Sequence, residues 1–217
     1  MKALIYKEMR LVLHPTAVIF LGLGAMLLIP DYPYTISFIY TCLAVFFLFL
    51  SGRENRDLFF TACLPVTRGQ MVRARCITVG LMEIAQIAVA GLFALLRLAV
   101  YPEGRENLAG MEPNMALFGF AFGLYAVFNT VYLPLVYGSN YKCGIPLALA
   151  GIAVAVYITL VEGGIQAVPA LRQSLDTMDA AYAGIQGAVL AGGALLFALS
   201  WLWVSRLSQG RFERVDL

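Results

Sequence analysis

Long apolar runs alternate with short polar intervals along this chain. The runs cover Leu13–Ile29, Tyr34–Leu50, Ile77–Tyr101, Met115–Tyr137, Ile145–Val161 and Ile185–Val204. A helix of roughly 20 residues crosses about 30 Å of hydrocarbon, so the pattern predicts an all-α integral membrane protein with six transmembrane helices in one domain. The first, second and fifth runs are short for a span. Only Pro30-Asp31-Tyr32-Pro33 parts the first two, which leaves a re-entrant hairpin as the alternative for that pair.

The longest polar interval is Ser51–Arg75, SGRENRDLFFTACLPVTRGQMVRAR. Ser51 with Glu54, and Thr67 with Gln70, each fit a capping box, in which two side chains satisfy otherwise unpaired backbone N–H groups at a helix start. Leu64-Pro65 lies between them, and a residue before proline is pushed out of the helical region. The first helix is therefore expected to stop near Cys63 and a second, longer one to run from Thr67 to Tyr101. Leu58, Phe59 and Phe60 give the short helix an apolar face, and Glu54, Arg56 and Asp57 a wet one. It either merely turns the chain at the membrane surface or holds a partner.

Composition agrees with the membrane reading: 61% of the 217 residues are hydrophobic and 13% charged, with mean hydropathy +0.81. The net charge of +2 gives no basis for nucleic-acid binding. Of the 15 Lys and Arg, Arg97, Arg105 and Arg172 fall on one side. The other side holds Lys2, Lys7, Arg10, Arg53, Arg56, Arg68, Arg73, Arg75, Lys142, Arg206, Arg211 and Arg214. The positive-inside rule then predicts both termini and Ser51–Arg75 in the cytoplasm. Cys42, Cys63, Cys76 and Cys143 form no C-x-x-C, so neither disulfides nor zinc are expected, and Met1-Lys2-Ala3 does not open a cleavable signal.

Met1–Leu13 reads as an amphipathic interfacial helix, with Lys7, Arg10 and His14 toward headgroups and Met1, Ile5, Met9 and Val12 opposite. His14, the one histidine, reads as an interfacial side chain. The third helix carries Glu83 and, one turn later, Gln86. A charge at mid-membrane costs roughly 2.5–3.5 kcal/mol on insertion scales, so both are expected to face other helices or water. With Asn129 and Tyr132 they form either a polar pathway or interhelical hydrogen bonds. Arg97 is expected to snorkel outward. Gly119-x-x-x-Gly123 permits close helix approach, Ala170–Tyr182 is expected to form a rim helix, Trp201 and Trp203 fit an interfacial belt, and Ser205–Leu217 reads as a polar tail.

No G-x-x-x-x-G-K-[ST] loop, H-E-x-x-H or Ser-His-Asp arrangement is present in the sequence, and no Asp lies in a predicted span. A transport or binding role is expected, not catalysis, and ATP and Mg are not expected on this chain.

The block Glu54-Asn55-Arg56-Asp57, the aromatic pair, Leu64-Pro65-Val66-Thr67-Arg68 and Val72-x-Ala74-Arg75 resembles the cytoplasmic loop between spans two and three of type-2 ABC exporter permeases. Met1-Lys2-Ala3-Leu4-Ile5-Tyr6-Lys7-Glu8 resembles their N-terminal connecting helix. Within that family the chain is most similar to bacterial exporters of phenol-soluble modulins and antimicrobial peptides. The resemblance implies a permease subunit in a bacterial plasma membrane that pairs with a second copy or a homologous permease. It also implies separate cytoplasmic ATPase subunits that carry ATP and Mg, and an amphipathic peptide as substrate. Glu54–Leu64 would be the coupling helix, with Glu54, Asn55, Asp57, Leu58, Phe59, Phe60 and Leu64 as ATPase-coupling residues. Glu83, Gln86, Asn129 and Tyr132 match no family motif, and their pathway role is read from the residues alone. Two other readings stay open: an ion- or proton-coupled carrier titrating Glu83, and a non-transporting scaffold or immunity protein.

Overall fold

The computed structural model describes residues 2–12, 15–101, 107–139 and 141–214, apart from the side chains of residues 11, 12 and 58. His14 and Met1 lie outside the described residues. Nine α-helices are found among them: α1 Lys2–Lys7, α2 Pro15–Gly22, α3 Thr35–Glu54, α4 Asp57–Ala62, α5 Arg68–Val100, α6 Met115–Gly138, α7 Gly144–Ala167, α8 Pro169–Leu175 and α9 Ala183–Glu213. A π-helical turn, Glu8–Val12, continues α1, and 3-10 turns cover Leu23–Leu28 and Ala180–Tyr182.

Five helices, α3, α5, α6, α7 and the segment ending in α9, are long and apolar enough to cross a membrane. A sixth crossing exists only if Pro15–Leu28 is counted with Lys2–Arg10, to which it lies at 81°. The first predicted span is thus a helix continued by a 3-10 turn, about 24 Å long. Gly24 accounts for its seating: a Cβ there would lie 3.0 Å from Val89 Cγ1 and 3.1 Å from the Ala90 nitrogen, so its backbone rests directly on α5.

The start of α5 follows from its cap. Thr67 Oγ1 accepts from the Gln70 N–H at 3.2 Å, and Gln70 Oε1 accepts from the Thr67 N–H at 3.1 Å. The matching expectation for Ser51 and Glu54 is overturned: both lie in the last turn of α3, which Asn55 caps. Helix α4 starts instead after Arg56, whose left-handed φ of 52° breaks the chain direction, and closes at Cys63 ahead of Leu64-Pro65. The apolar run of α3 simply carries its helix four residues into polar sequence.

Helix α6 forms the centre. Its Asn114 cap accepts from the Leu117 N–H at 3.1 Å, and its most extensive packing is against α9. A Cβ at Gly119 would sit 2.5 Å from the Val189 carbonyl oxygen, and one at Gly193 would strike the Gly119 carbonyl. Gly123, on the same sequence motif, makes room for a different helix: the Tyr157 hydroxyl of α7 occupies the place of its side chain and donates to the Phe120 carbonyl at 3.0 Å.

Three boundary expectations change. The rim helix is only α8, because the Asn114 amide donates to the Leu175 and Thr177 carbonyls at 2.7 and 2.9 Å and so ends it. Helix α7 runs on through Glu162, and α9 takes in the expected tail as far as Glu213. Trp201, expected in an interfacial belt, packs as a wedge between helices: it stacks on Phe197 at 5.9 Å, and a Cβ at Gly80 of α5 would lie 3.1 Å from its ring.

Candidate coupling site and buried polar core

The ends of α3, α5 and α9 that carry Arg53, Arg68, Arg73, Arg75 and Arg211 gather at one end of the bundle, beside the end of α6 at Gly138, and α4 connects α3 to α5 there. Helix α4 is two-faced. Phe59 and Phe60 are 59% and 56% exposed, and Cys63 and Leu64 beyond them are also exposed. Glu54 and Asn55 precede the corner and are exposed. Leu58 lies within α4, but its side chain is outside the described set.

Asp57 is held to the interior face by two cations. Lys7 Nζ donates to Asp57 Oδ1 at 2.7 Å, and Arg75 Nη2 donates to Asp57 Oδ2 at 2.7 Å. Glu8 bonds the same two cations: Lys7 Nζ lies 3.0 Å from Glu8 Oε1, and Arg75 Nε pairs with Glu8 Oε2. The four side chains therefore close a ring in which each cation touches both acids, with a net charge of zero. Lys7 Nζ also donates to Thr61 Oγ1 at 2.7 Å, and that hydroxyl donates to the Asp57 carbonyl, so Lys7 holds α4 at its first residue and one turn on. Lys7 is 9% exposed, Glu8 3% and Arg75 3%. The expected headgroup-facing role of Lys7 is thus overturned: the π turn at Glu8 and the acid on α4 draw it inward, while Tyr6, Met9 and Arg10 are exposed.

Arg75 is seated by three further groups. A Cβ at Gly52 of α3 would lie 2.8 Å from its Nη1, the Phe49 ring lies 5.5 Å from its Cζ, and behind Phe49 sit Tyr137, edge-on, and Tyr141, tilted, with Phe212 packed edge-on against both tyrosines. Burial pushes the Tyr141 phenol up, against the opposing pull of Arg75, so it stays an uncharged neighbour of the ring.

A second polar layer sits mid-bundle. Asn129 Nδ2 of α6 donates to both carboxyl oxygens of Glu83 on α5 at 2.9 Å, and Gln86 Nε2 donates to Ser37 Oγ of α3 at 3.3 Å. Glu83, Gln86, Asn129 and Tyr132 are all fully buried within the subunit. Tyr132 stacks on Phe128 at 4.9 Å. The structure therefore joins Glu83 to Asn129 directly and places Gln86 and Tyr132 in separate contacts.

At the opposite end Arg97 is 4% exposed and does not snorkel. It donates to Tyr34 Oη at 2.6 Å, and its guanidinium lies 5.4 and 5.5 Å from the Tyr34 and Tyr101 rings. The turn between the first two apolar runs covers it, which a span reading alone does not foresee. Beside it opens a cleft of about 840 Å³ lined by Glu112, Glu162, Arg172 and Asp176 among others. Its acids are engaged internally: Asp176 accepts from the Glu112 N–H at 2.9 Å and from Gln166 at 3.0 Å, and Glu162 accepts from Thr35.

Sequence reasoning missed Lys7, Glu8 and Arg75 as members of the site. Lys7-Glu8 and Ala74-Arg75 were legible as charges in helices bordering the membrane, but their partners lie about 50 and 18 residues away in the chain. No curated protein and no solved structure matches the chain. The family description that does match, ABC-2 family transporter protein, spans residues 3–211. With its apolar helices and a two-faced short helix at the charged end, the chain belongs to the ABC-2 transporter family, as a membrane permease subunit of an ABC transporter.

Proposed function

We propose that this subunit works in an ATP-driven exporter and that α4 is the element through which a cytoplasmic ATPase drives it. Family membership implies ABC ATPase partners and usually a pair of permeases, with the transport subunit itself not catalytic. The observation that carries the reading is the division of α4 into two faces. Phe59 and Phe60 stand in the open, ready to fill an apolar groove, while Asp57 ties the helix to the foot of α5. A push on the aromatic pair is then delivered to a helix of about 50 Å that reaches the far side of the bundle.

The basic end faces the cytoplasm in this reading, as positive-inside counting requires, and the membrane is a bacterial plasma membrane. The substrate is an amphipathic peptide, a reading supported by the chain's resemblance, in its compact apolar runs without a large outer domain between them, to phenol-soluble modulin exporters. Glu83, Gln86, Asn129 and Tyr132, buried within one subunit, act as pins between α3, α5 and α6; a lining role requires that seam to part.

The test is Phe59→Asp and Phe60→Asp, separately and together, in the tagged chain purified with the ATPase it brings down. Exposed aromatic anchors of this kind dominate docking energy, so ATPase recovery and ATP-driven peptide export are expected to fall about tenfold while the yield of folded subunit holds. Unchanged recovery and export in the double variant would refute docking through α4.

A further inference from the structure

We propose that the N-terminal helix is a moving part of the coupling device, latched to α4 by Lys7 and Glu8, and that the four-membered ionic ring makes α1, α4 and the foot of α5 travel as one body. The inference rests on the docking reading above and adds to it the partner that α4 grips from inside.

Three observations converge. First, Lys7 spans α4 lengthwise, from the Asp57 carboxylate to the Thr61 hydroxyl, each at 2.7 Å. A cation that binds two points of a six-residue helix fixes its tilt as well as its position. Second, the ring is closed, neutral and almost wholly buried, with side-chain exposures of 10%, 4%, 11% and 3% for Lys7, Glu8, Asp57 and Arg75. Removing one member leaves an uncompensated charge out of water, whereas removing one cation and one acid together leaves a neutral pair. Third, among the described residues the polar side-chain bonds of the short helix to the rest of the molecule run through Asp57 and Thr61 alone. Gly52 completes the design, since only a residue without a side chain admits the Arg75 guanidinium at that point.

A merely structural ring and a latch make different predictions. Lys7→Met leaves Glu8 and Asp57 sharing one cation. Lys7→Met/Glu8→Gln restores neutrality, with Asp57 still on Arg75, but it frees α1 from α4. If the ring is only a stabiliser, the paired variant recovers stability and coupling together. If α1 is a latch, stability returns and coupling does not. Lys7→Arg keeps the charge and is expected to keep both.

The experiment uses the complex of the full chain with its ATPase in lipid nanodiscs, Cys63→Ser and Leu108→Cys throughout. Leu108 is 82% exposed at the end opposite α4. The readouts are ATPase recovery, melting temperature, and the change in the rate at which a polar maleimide labels the thiol introduced by Leu108→Cys when ATP and vanadate are added. The expected result is a response in the parent and in Lys7→Arg, a lowered melting temperature in Lys7→Met, and a near-parental melting temperature in the pair. In both Lys7→Met and the pair the response falls about tenfold, within the range of coupling free energies between sites. A pair that responds like the parent overturns the latch and leaves docking through α4 standing. A parent that recovers no ATPase, or gives no response, overturns the docking reading and the latch with it.

Discussion

Arg75 shows how much of this molecule turns on single side chains. It touches Asp57 of α4 and Glu8 of the N-terminal segment, lies over Phe49 and fills the space opposite Gly52. Removing one partner of a buried charge pair costs about 3–5 kcal/mol, so Arg75→Met is expected to lower the melting temperature of the purified subunit more than any exposed arginine such as Arg73. Gly52→Ala puts a methyl 2.8 Å from Nη1. The guanidinium must then shift, at a cost of about 1–3 kcal/mol for an overpacked core, and thermal unfolding in detergent reads it out. Glu83 separates two mechanisms at the same scale. Glu83→Gln keeps an acceptor for the Asn129 amide, so ATP-driven export is expected to continue. Glu83→Leu strands that amide at about 1–3 kcal/mol and is expected to lower folded yield. Export abolished by Glu83→Gln in a stable protein would favour the ion-coupled carrier instead.

At the scale of elements, two capping boxes that look alike in sequence have opposite fates. Thr67 and Gln70 form theirs because Leu64-Pro65 has already broken the chain and leaves the first N–H groups of α5 unpaired. Ser51 and Glu54 form none, because the apolar face of α3 is buried to Phe49 and beyond, and its helix continues through them. Thr67→Ala is expected to cost α5 about 1 kcal/mol, seen as faster hydrogen exchange in its first turn with the rest of the helix unchanged. The same substitution at Ser51 is expected to leave exchange in α4 at its parental rate. The G-x-x-x-G motif of α6 was legible as a site of close approach. Its two glycines serve two different neighbours, Gly119 the backbone of α9 and Gly123 the hydroxyl of Tyr157, a division that depends on where α7 and α9 lie.

At the scale of the whole molecule, long apolar helix faces of the bundle are left open. Ile145, Leu149, Ile152, Val156 and Leu160 form an exposed stripe along α7, and Leu195, Leu199 and Leu202 do so on α9, as suits surfaces turned to lipid or to a second permease. Orientation is testable here, because of four free cysteines Cys63 alone is exposed. In the proposed orientation a membrane-impermeant maleimide labels Cys63 in inside-out vesicles and leaves it unlabelled in intact cells; the reverse pattern would put α4 out of reach of any cytoplasmic ATPase.

What the sequence determined by itself is what short-range physics controls: the apolar lengths that make membrane helices, the Thr67 cap and the Leu64-Pro65 break, and the aromatic face of α4. Each depends on residues within a turn or two of one another, or on summed hydropathy over one segment. Tertiary structure alone decided which charges are buried and with whom. Lys7 and Arg97 read as surface cations from their neighbours in sequence, yet both are enclosed, because their partners arrive from segments about 50 and 63 residues away. A buried charge is tolerable only where opposite charge or aligned donors and acceptors meet it, and that meeting is a property of the packed bundle, not of any stretch of the chain.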